Sequence, residues 1–211
     1  MNNRPLSKFL TLTFLVLLAT PLAARTLAEA YEDVQPPQPT QTEGKVEVLE
    51  FFWYGCPHCY DFEPLLEKWR AGNGADVELI RVPGVLNQQW VPHARAYYAA
   101  QKLGVLEKIH RPLFDALHKN KERIFTESEI QDFFESQGVA PKDFKQAYDS
   151  AETTTRIKQA MLLAKNYRIQ GVPAIIVNGK YQTSASMAGS YPGLIGVIDA
   201  LVAREKQAAT Q

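Results

Sequence analysis

The sequence predicts an α/β protein in which a helical segment interrupts a sheet. Three observations predict this class. Residues 45–54 are strongly apolar and precede a helical pattern, residues 88–168 are helical in pattern almost throughout, and Asn178-Gly179 separates two short strand-like segments. The order of elements is therefore strand, helix, strand, helical block, hairpin and helix, which is typical of a helix-covered sheet with an inserted helical part.

The first residues have the composition of a secretory signal. Arg4 and Lys8 precede an apolar run over residues 9–18, and small residues follow it. The run is shorter than the about 20 residues that span a bilayer. We therefore expect a cleaved signal peptide at residues 1–24, with the cleavage point between 24 and 30. An uncleaved anchor is the alternative.

The composition is that of a soluble globular protein. Of the 211 residues, 45% are hydrophobic and 22% are charged, and the formal net charge is zero. A nucleic-acid binder would show a basic excess, so we expect no nucleic-acid partner. This length fits one domain, or one domain with an insertion.

The first strand–helix–strand unit is the clearest local pattern. Residues 31–43 contain three prolines, so they form an edge strand at most. Residues 45–54 are apolar on both faces, as in a central strand that is covered on both sides. Residues 77–83 form a second strand. The helix between the two strands has Pro57 in its first turn and Pro64 inside it, where a kink is expected. Its apolar face has helical spacing and consists of Phe62, Leu65, Leu66 and Trp69.

The second half contains the helical block, a hairpin and a last helix. Thr126-x-x-Glu129 is a capping box that begins one helix of the block. Residues 174–177 and 180–182 are the strands on either side of the Asn178-Gly179 turn. Residues 191–204 form a final amphipathic helix.

Cys56 and Cys59 are the only cysteines, and their position gives them a chemical role. They follow a buried strand and begin a helix, where free N–H groups and the helix dipole favour negative charge. The thiolate is the nucleophile of thiol–disulfide exchange, so Cys56 should attack and Cys59, one turn further on, should resolve. His58 adds a donor or a positive charge between them. Stabilising the Cys56 thiolate stabilises the reduced form and makes the disulfide a better oxidant.

Two other roles for the cysteine pair are less well supported. A purely structural bridge closing four residues would contribute only about 1.8 kcal/mol. A zinc site usually needs four ligands, and the three remaining histidines show no ligand spacing. We therefore expect no metal and no bound cofactor, because the cysteine pair carries two electrons itself.

Glu50 is the third candidate site residue. It shares a face of the first central strand with Val46, Val48 and Phe52, so its carboxyl group should be desolvated and its pKa raised. Such a group can take a proton from Cys59 during exchange. The alternative is a solvent-exposed acid at a strand end.

The sequence resembles the DsbA family of thiol–disulfide oxidases. Residues 50–59, Glu-Phe-Phe-Trp-Tyr-Gly-Cys-Pro-His-Cys, are similar to the family's active-site segment, and residues 171–174, Gly-Val-Pro-Ala, to its cis-proline loop. The Val-Asn-Gly-Lys-Tyr segment at residues 177–181 extends the likeness, which covers residues 31–206. A cis bond at Val172-Pro173 costs little, because X-Pro bonds have a small trans preference.

The resemblance implies a thioredoxin fold with an inserted helical domain. It divides the chain into a discontinuous thioredoxin-like domain at residues 31–87 and 166–208, with the insertion at residues 88–165. The family's roles, carried over by position, make Cys56 the nucleophile, Cys59 the resolving thiol, His58 the thiolate stabiliser, Glu50 the buried acid, and Pro57, Val172 and Pro173 substrate-binding residues.

The resemblance also implies the setting and the partners. The enzyme would be a monomer in the periplasm of a Gram-negative bacterium. It would donate its disulfide to reduced, unfolded secreted proteins, and a DsbB-type, quinone-linked membrane protein would reoxidise it. A disulfide isomerase or reductase of the same fold is the nearest alternative. A non-enzymatic chaperone or binding module, which would keep its activity after Cys56→Ser, is the alternative from another class.

Overall fold

The computed structural model describes residues 26–210, so the predicted signal peptide at residues 1–24 lies outside the described residues. A five-stranded mixed sheet has the strand order β1-β5-β4-β2-β3. The strands are β1 (Glu32–Asp33), β2 (Val46–Phe52), β3 (Val77–Pro83), β4 (Ala174–Val177) and β5 (Tyr181–Ser184). The helices are α1 (Pro57–Asn73), α2 (Val91–Lys102), α3 (Leu106–His118), α4 (Glu127–Ser136), α5 (Pro141–Tyr148), α6 (Ala151–Asn166), α7 (Ala185–Ala188) and α8 (Tyr191–Ala209). The α/β prediction is confirmed.

Strand β2 lies at the centre of the sheet, as its two apolar faces predict. All seven of its residues are buried. It pairs in parallel with β3 and antiparallel with β4. One face of the sheet packs against α1 and α8, and the other packs against helices of the block between β3 and β4. Covering both faces removes most of the apolar surface of β2 from water.

Helix α1 begins where the sequence predicts and ends at Asn73. Pro57 is its first residue, and Pro64 lies inside it. Phe62, Leu66 and Trp69 are buried against the sheet, whereas Leu65 is only partly buried. These residues join Leu194 and Ile198 of α8 in one apolar cluster, so the apolar face of α1 fixes the side of the sheet on which it lies.

The five helices between β3 and β4, α2 to α6, form the helical block. The capping box at Thr126 is present: the Glu129 N–H donates to the Thr126 hydroxyl at 3.3 Å, and the Glu129 carboxylate accepts from the Thr126 N–H at 2.8 Å. Phe134 and Phe144 are fully buried in the block, with ring centroids 4.8 Å apart. Across residues 26–210, no helix is long and apolar enough to cross a bilayer.

The β4–β5 hairpin turns at Asn178-Gly179, as predicted. Both residues have positive φ, 50° and 68°, which this tight turn requires. A Cβ atom at Gly179 would lie 2.1 Å from the Gln38 carbonyl oxygen, so the lead-in also needs glycine there. The predicted edge strand is the two-residue β1, which pairs with β5.

Candidate active site

The cysteine pair lies where β2 passes into α1. Cys56 is the N-cap residue of α1, and Cys59 follows in the first turn. The Cys56 N–H donates to the Trp53 carbonyl at 3.0 Å, and the Cys56 carbonyl accepts from the Tyr60 N–H at 3.1 Å. Both side chains are free thiols; Cys56 is 8% exposed and Cys59 is 0% exposed. Cys59 is therefore the more buried of the two.

The two sulfurs differ strongly in acidity. A hydrogen bond from the Cys59 side chain, backbone N–H groups of Cys59 and His58, and the charge of His58 together lower the pKa of Cys56 to about 6, although burial opposes them. Burial and the neighbouring Cys56 raise the pKa of Cys59 well above its ordinary value. The geometry therefore favours a thiolate on Cys56 and a protonated thiol on Cys59.

The Val172-Pro173 loop lies against Cys56. Ala174 pairs with Phe51 in the sheet, so the residues just before β4 lie at the end of β2 from which Cys56 follows. The Val172-Pro173 bond is cis, as predicted. The Cys56 thiol donates to the Val172 carbonyl oxygen at 3.5 Å. The Gln35-Pro36 bond is also cis, which the sequence reading did not predict.

The two residues between the cysteines, Pro57 and His58, are exposed on the first turn of α1. The His58 Nδ1 atom lies 3.0 Å from the Tyr191 hydroxyl oxygen, at the start of α8. No periodicity or motif in the sequence indicates this contact, because the two residues are 133 positions apart.

Glu50 is fully buried, as the position of its strand predicts. It stands opposite Arg81 in the β2–β3 pairing, and the Arg81 Nε atom is 3.2 Å from its carboxylate. Burial and the neighbouring charge of Glu63 raise the pKa of Glu50 to about 8, although Arg81 lowers it. A carboxyl group with this pKa can hold a proton near neutral pH.

Arg81 connects Glu50 to further buried groups that the sequence reading missed. Its guanidinium contacts Glu63 at 2.8 Å and also Glu67, both on α1. Glu63 in turn lies 3.2 Å from His110 Nε2 of α3. We call Glu50, Glu63, Arg81 and His110, together with the partly exposed Glu67 at their edge, the charge cluster. An arginine in an apolar strand, opposite a buried acid, is the one signal that would have indicated it.

A groove of about 1040 Å³ runs beside the cysteine pair. His58, Val172, Pro173 and Tyr191 are among its lining residues, and Arg168 is another. The groove therefore lies next to the cis-proline loop that contacts Cys56, although neither cysteine lines it. In the described part of the chain, no three His, Cys, Asp or Glu side chains are grouped to hold a metal ion.

Comparison with known proteins yields one consistent family. A family model described as "DSBA-like thioredoxin domain" matches residues 81–192, a stretch that begins after the cysteine pair. The thiol:disulfide interchange protein DsbA of Burkholderia cepacia is 41% identical over 181 residues, 85% of each chain. That of Pseudomonas aeruginosa PAO1 is 34% identical over 209 residues, 99% of each chain. A crystal structure of Pseudomonas aeruginosa DsbA superposes with a TM-score of 0.83 at 34% identity, covering 89% of this chain and 97% of that one. The predicted thioredoxin fold with a helical insertion is thereby confirmed.

Proposed function

The chain belongs to the DsbA family of thiol:disulfide oxidoreductases, and on that premise we propose that Cys56 is the nucleophile, Cys59 the resolving thiol and His58 the thiolate stabiliser. The enzyme is a thiol:disulfide oxidase. The observation that carries the residue roles is the position of Cys56 at the start of α1. Its sulfur lies 3.5 Å from the Val172 carbonyl, with its pKa lowered to about 6.

The reaction we propose transfers one disulfide. A client thiolate attacks Cys56 Sγ in the oxidised enzyme, and the Cys56–Cys59 bond breaks with its electron pair passing to Cys59. A second client thiolate then attacks the client sulfur of this mixed disulfide, and Cys56 leaves as a thiolate. The client dithiol loses two electrons and two protons, and the enzyme gains the two electrons. Cys59 ends with one of the protons, and the other passes to solvent because Cys56 remains a thiolate. The low pKa of Cys56 favours its departure, since leaving groups of low pKa leave faster.

We propose that Glu50 exchanges a proton with Cys59 during the reaction. Its charge is among the interactions that raise the pKa of Cys59, so the two groups lie within electrostatic reach of each other. A protonated Glu50 gives its proton to Cys59 when the bond between the cysteines breaks. It takes a proton back when Cys59 attacks a mixed disulfide. The raised pKa of Glu50, about 8, suits a group that must exchange a proton near neutral pH.

Reduced, unfolded secreted proteins are the proposed clients. Pro57, Val172 and Pro173 would contact them at the mouth of the groove. The family further suggests a periplasmic monomer without a bound cofactor, reoxidised by a DsbB-type membrane protein. It also suggests a thioredoxin-like domain at residues 31–87 and 166–208, an insertion at residues 88–165, and a signal peptide removed between residues 24 and 30.

The test is the equilibrium reduction potential of the Cys56–Cys59 couple in glutathione buffers, measured with the full chain. We expect a potential more oxidising than that of the glutathione pool. A potential near that of thioredoxin, about −270 mV, would overturn disulfide donation and favour a reductase. Matched variants test the roles: Cys59→Ser should accumulate a mixed disulfide with a client peptide that carries a disulfide, because the Cys56 thiolate attacks that bond and no second cysteine resolves the product, and Cys56→Ser should not. Equal trapping by both variants would contradict the assignment of the nucleophile.

A further inference from the structure

We propose that Tyr191 is a positioning residue for thiol–disulfide exchange, because its hydroxyl holds the His58 imidazole beside Cys56. This inference rests on the proposed function of the cysteine pair. It adds a residue that lies outside both the Cys56–Cys59 segment and the Val172-Pro173 loop. The contact joins the first turn of α1 to the first turn of α8, with 3.0 Å between His58 Nδ1 and the hydroxyl oxygen. It ties His58 to an element distant in the chain.

Tyr191 is itself held in place from two sides. Its ring packs against Phe62, with ring centroids 5.9 Å apart and the planes tilted by 35°. His58 and Phe62 are four residues apart on α1, so both project from the same face of that helix toward Tyr191. The Ser190 hydroxyl accepts from the Gly193 N–H at 3.0 Å and fixes the start of α8. The hydroxyl of Tyr191 thus has a defined position when it meets the imidazole.

A tyrosine hydroxyl can serve both protonation states of the imidazole. It donates to Nδ1 of the neutral ring, which leaves the ring proton on Nε2, and it accepts from Nδ1–H of the charged ring. Burial, the negative charge of Asp61 and the nearby cysteine pair raise the pKa of Tyr191, so the hydroxyl keeps its proton while Cys56 is a thiolate. The bond to the charged ring is the stronger one, because it is charge-assisted.

The contact connects Tyr191 to the nucleophile through His58. The charge of His58 is one of the interactions that stabilise the Cys56 thiolate, and that interaction depends on where the imidazole is held. Tyr191 also lines the groove with Val172 and Pro173, so a client entering the groove meets the residue that orients His58. The start of α8 therefore acts on the exchange reaction although it carries no cysteine.

Tyr191→Phe tests this inference, because it removes only the hydroxyl. We expect the acid dissociation constant of Cys56 to fall about two- to fivefold, which corresponds to the loss of one exposed hydrogen bond. The constant is measured from thiolate absorbance against pH in the reduced protein. Tyr31→Phe is the matched control: its hydroxyl accepts from Arg204 at 2.9 Å, away from the cysteine pair, and its loss should leave the constant unchanged. The imidazole ¹⁵N shifts of His58 should also show loss of the Nε2–H preference in Tyr191→Phe.

A double-mutant cycle with His58→Leu decides whether Tyr191 acts through His58. In the His58→Leu background, Tyr191→Phe should no longer change the Cys56 constant. An equal change in both backgrounds, or none in the wild-type background, would overturn the inference. The wild-type reduction potential separates this outcome from failure of the proposed function. An oxidising wild type with an unresponsive Tyr191→Phe variant refutes only the role of Tyr191.

Discussion

Replacing Cys59 by alanine should raise the pKa of Cys56, because the largest cause of its low value is the hydrogen bond from the Cys59 side chain. This bond, with the backbone N–H groups and the charge of His58, lowers the pKa of Cys56 from an ordinary 9.0 to about 6. A hydrogen bond to a charged group contributes about 1.5–3 kcal/mol, and one pKa unit corresponds to about 1.36 kcal/mol, so Cys59→Ala should move the pKa to about 7–8. The backbone N–H groups of His58 and Cys59 remain, which is why the pKa should not return to 9.0.

Alkylation by iodoacetamide across a pH series is a suitable assay. In about pH 6 buffer the thiolate fraction of Cys56 should fall from about one half to about 1–10% in Cys59→Ala. The midpoint of the series must be compared rather than one rate, because thiolate nucleophilicity increases as pKa increases. Thiolate absorbance gives an independent value of the same midpoint.

Cys59→Ser is the matched control for this experiment. Its hydroxyl can still donate to the Cys56 thiolate, so the midpoint should lie between those of the wild type and Cys59→Ala. If Cys59→Ala keeps a midpoint at about 6, the thiolate is stabilised by the helix start and His58 alone, and the reasoning from the side-chain hydrogen bond is refuted.

Two further predictions concern stability. Because burial raises the pKa of Glu50 from 4.5 to about 8, the folded protein binds a proton that the unfolded chain releases in this range, and stability declines as pH rises through it. The free energy of unfolding of Glu50→Gln, taken relative to that of the wild type, should therefore increase by more than about 1 kcal/mol as pH rises from about 5 to about 8. A difference in denaturant unfolding that does not change with pH would contradict this. Phe134→Ala should lower the free energy of unfolding by about 3–5 kcal/mol in the same assay, because Phe134 is fully buried against Phe144. The pKa of Cys56 should not change. A loss below about 1 kcal/mol would show that the helical block repacks around the substitution.

Local patterns in the sequence determined much of the fold. The two apolar faces of residues 46–52 place β2 in the centre of the sheet, and the i, i+3, i+4 spacing after Pro57 places the cysteine pair at a helix start. The Asn178-Gly179 turn is similarly local, because only a few residue types adopt the positive φ that it needs. Each of these features depends on residues within about one turn or strand of each other, so composition and period suffice to predict it.

The same distinction applies to the predicted site residues: some of their properties follow from the local sequence, and others depend on partners elsewhere in the chain. The chemistry of Cys56 and Cys59 follows from their spacing and from the strand before them, and the burial of Glu50 follows from its strand face. The partners of these residues do not. Arg81 meets Glu50 because β2 and β3 pair in one register, and a one-residue shift would have put its side chain on the other face.

The sequence by itself therefore indicated the candidate residues of the site, and the tertiary structure decided which distant groups surround them. The groups around Glu50 and the contact of His58 with Tyr191, 133 residues away, depend on elements far apart in the chain, whereas the interactions that lower the pKa of Cys56 come from residues within three positions of it. Contacts between distant elements arise when helices and strands pack around a common core. Their electrostatic effects depend on distances of a few ångströms and on burial, which no pattern along the chain reports.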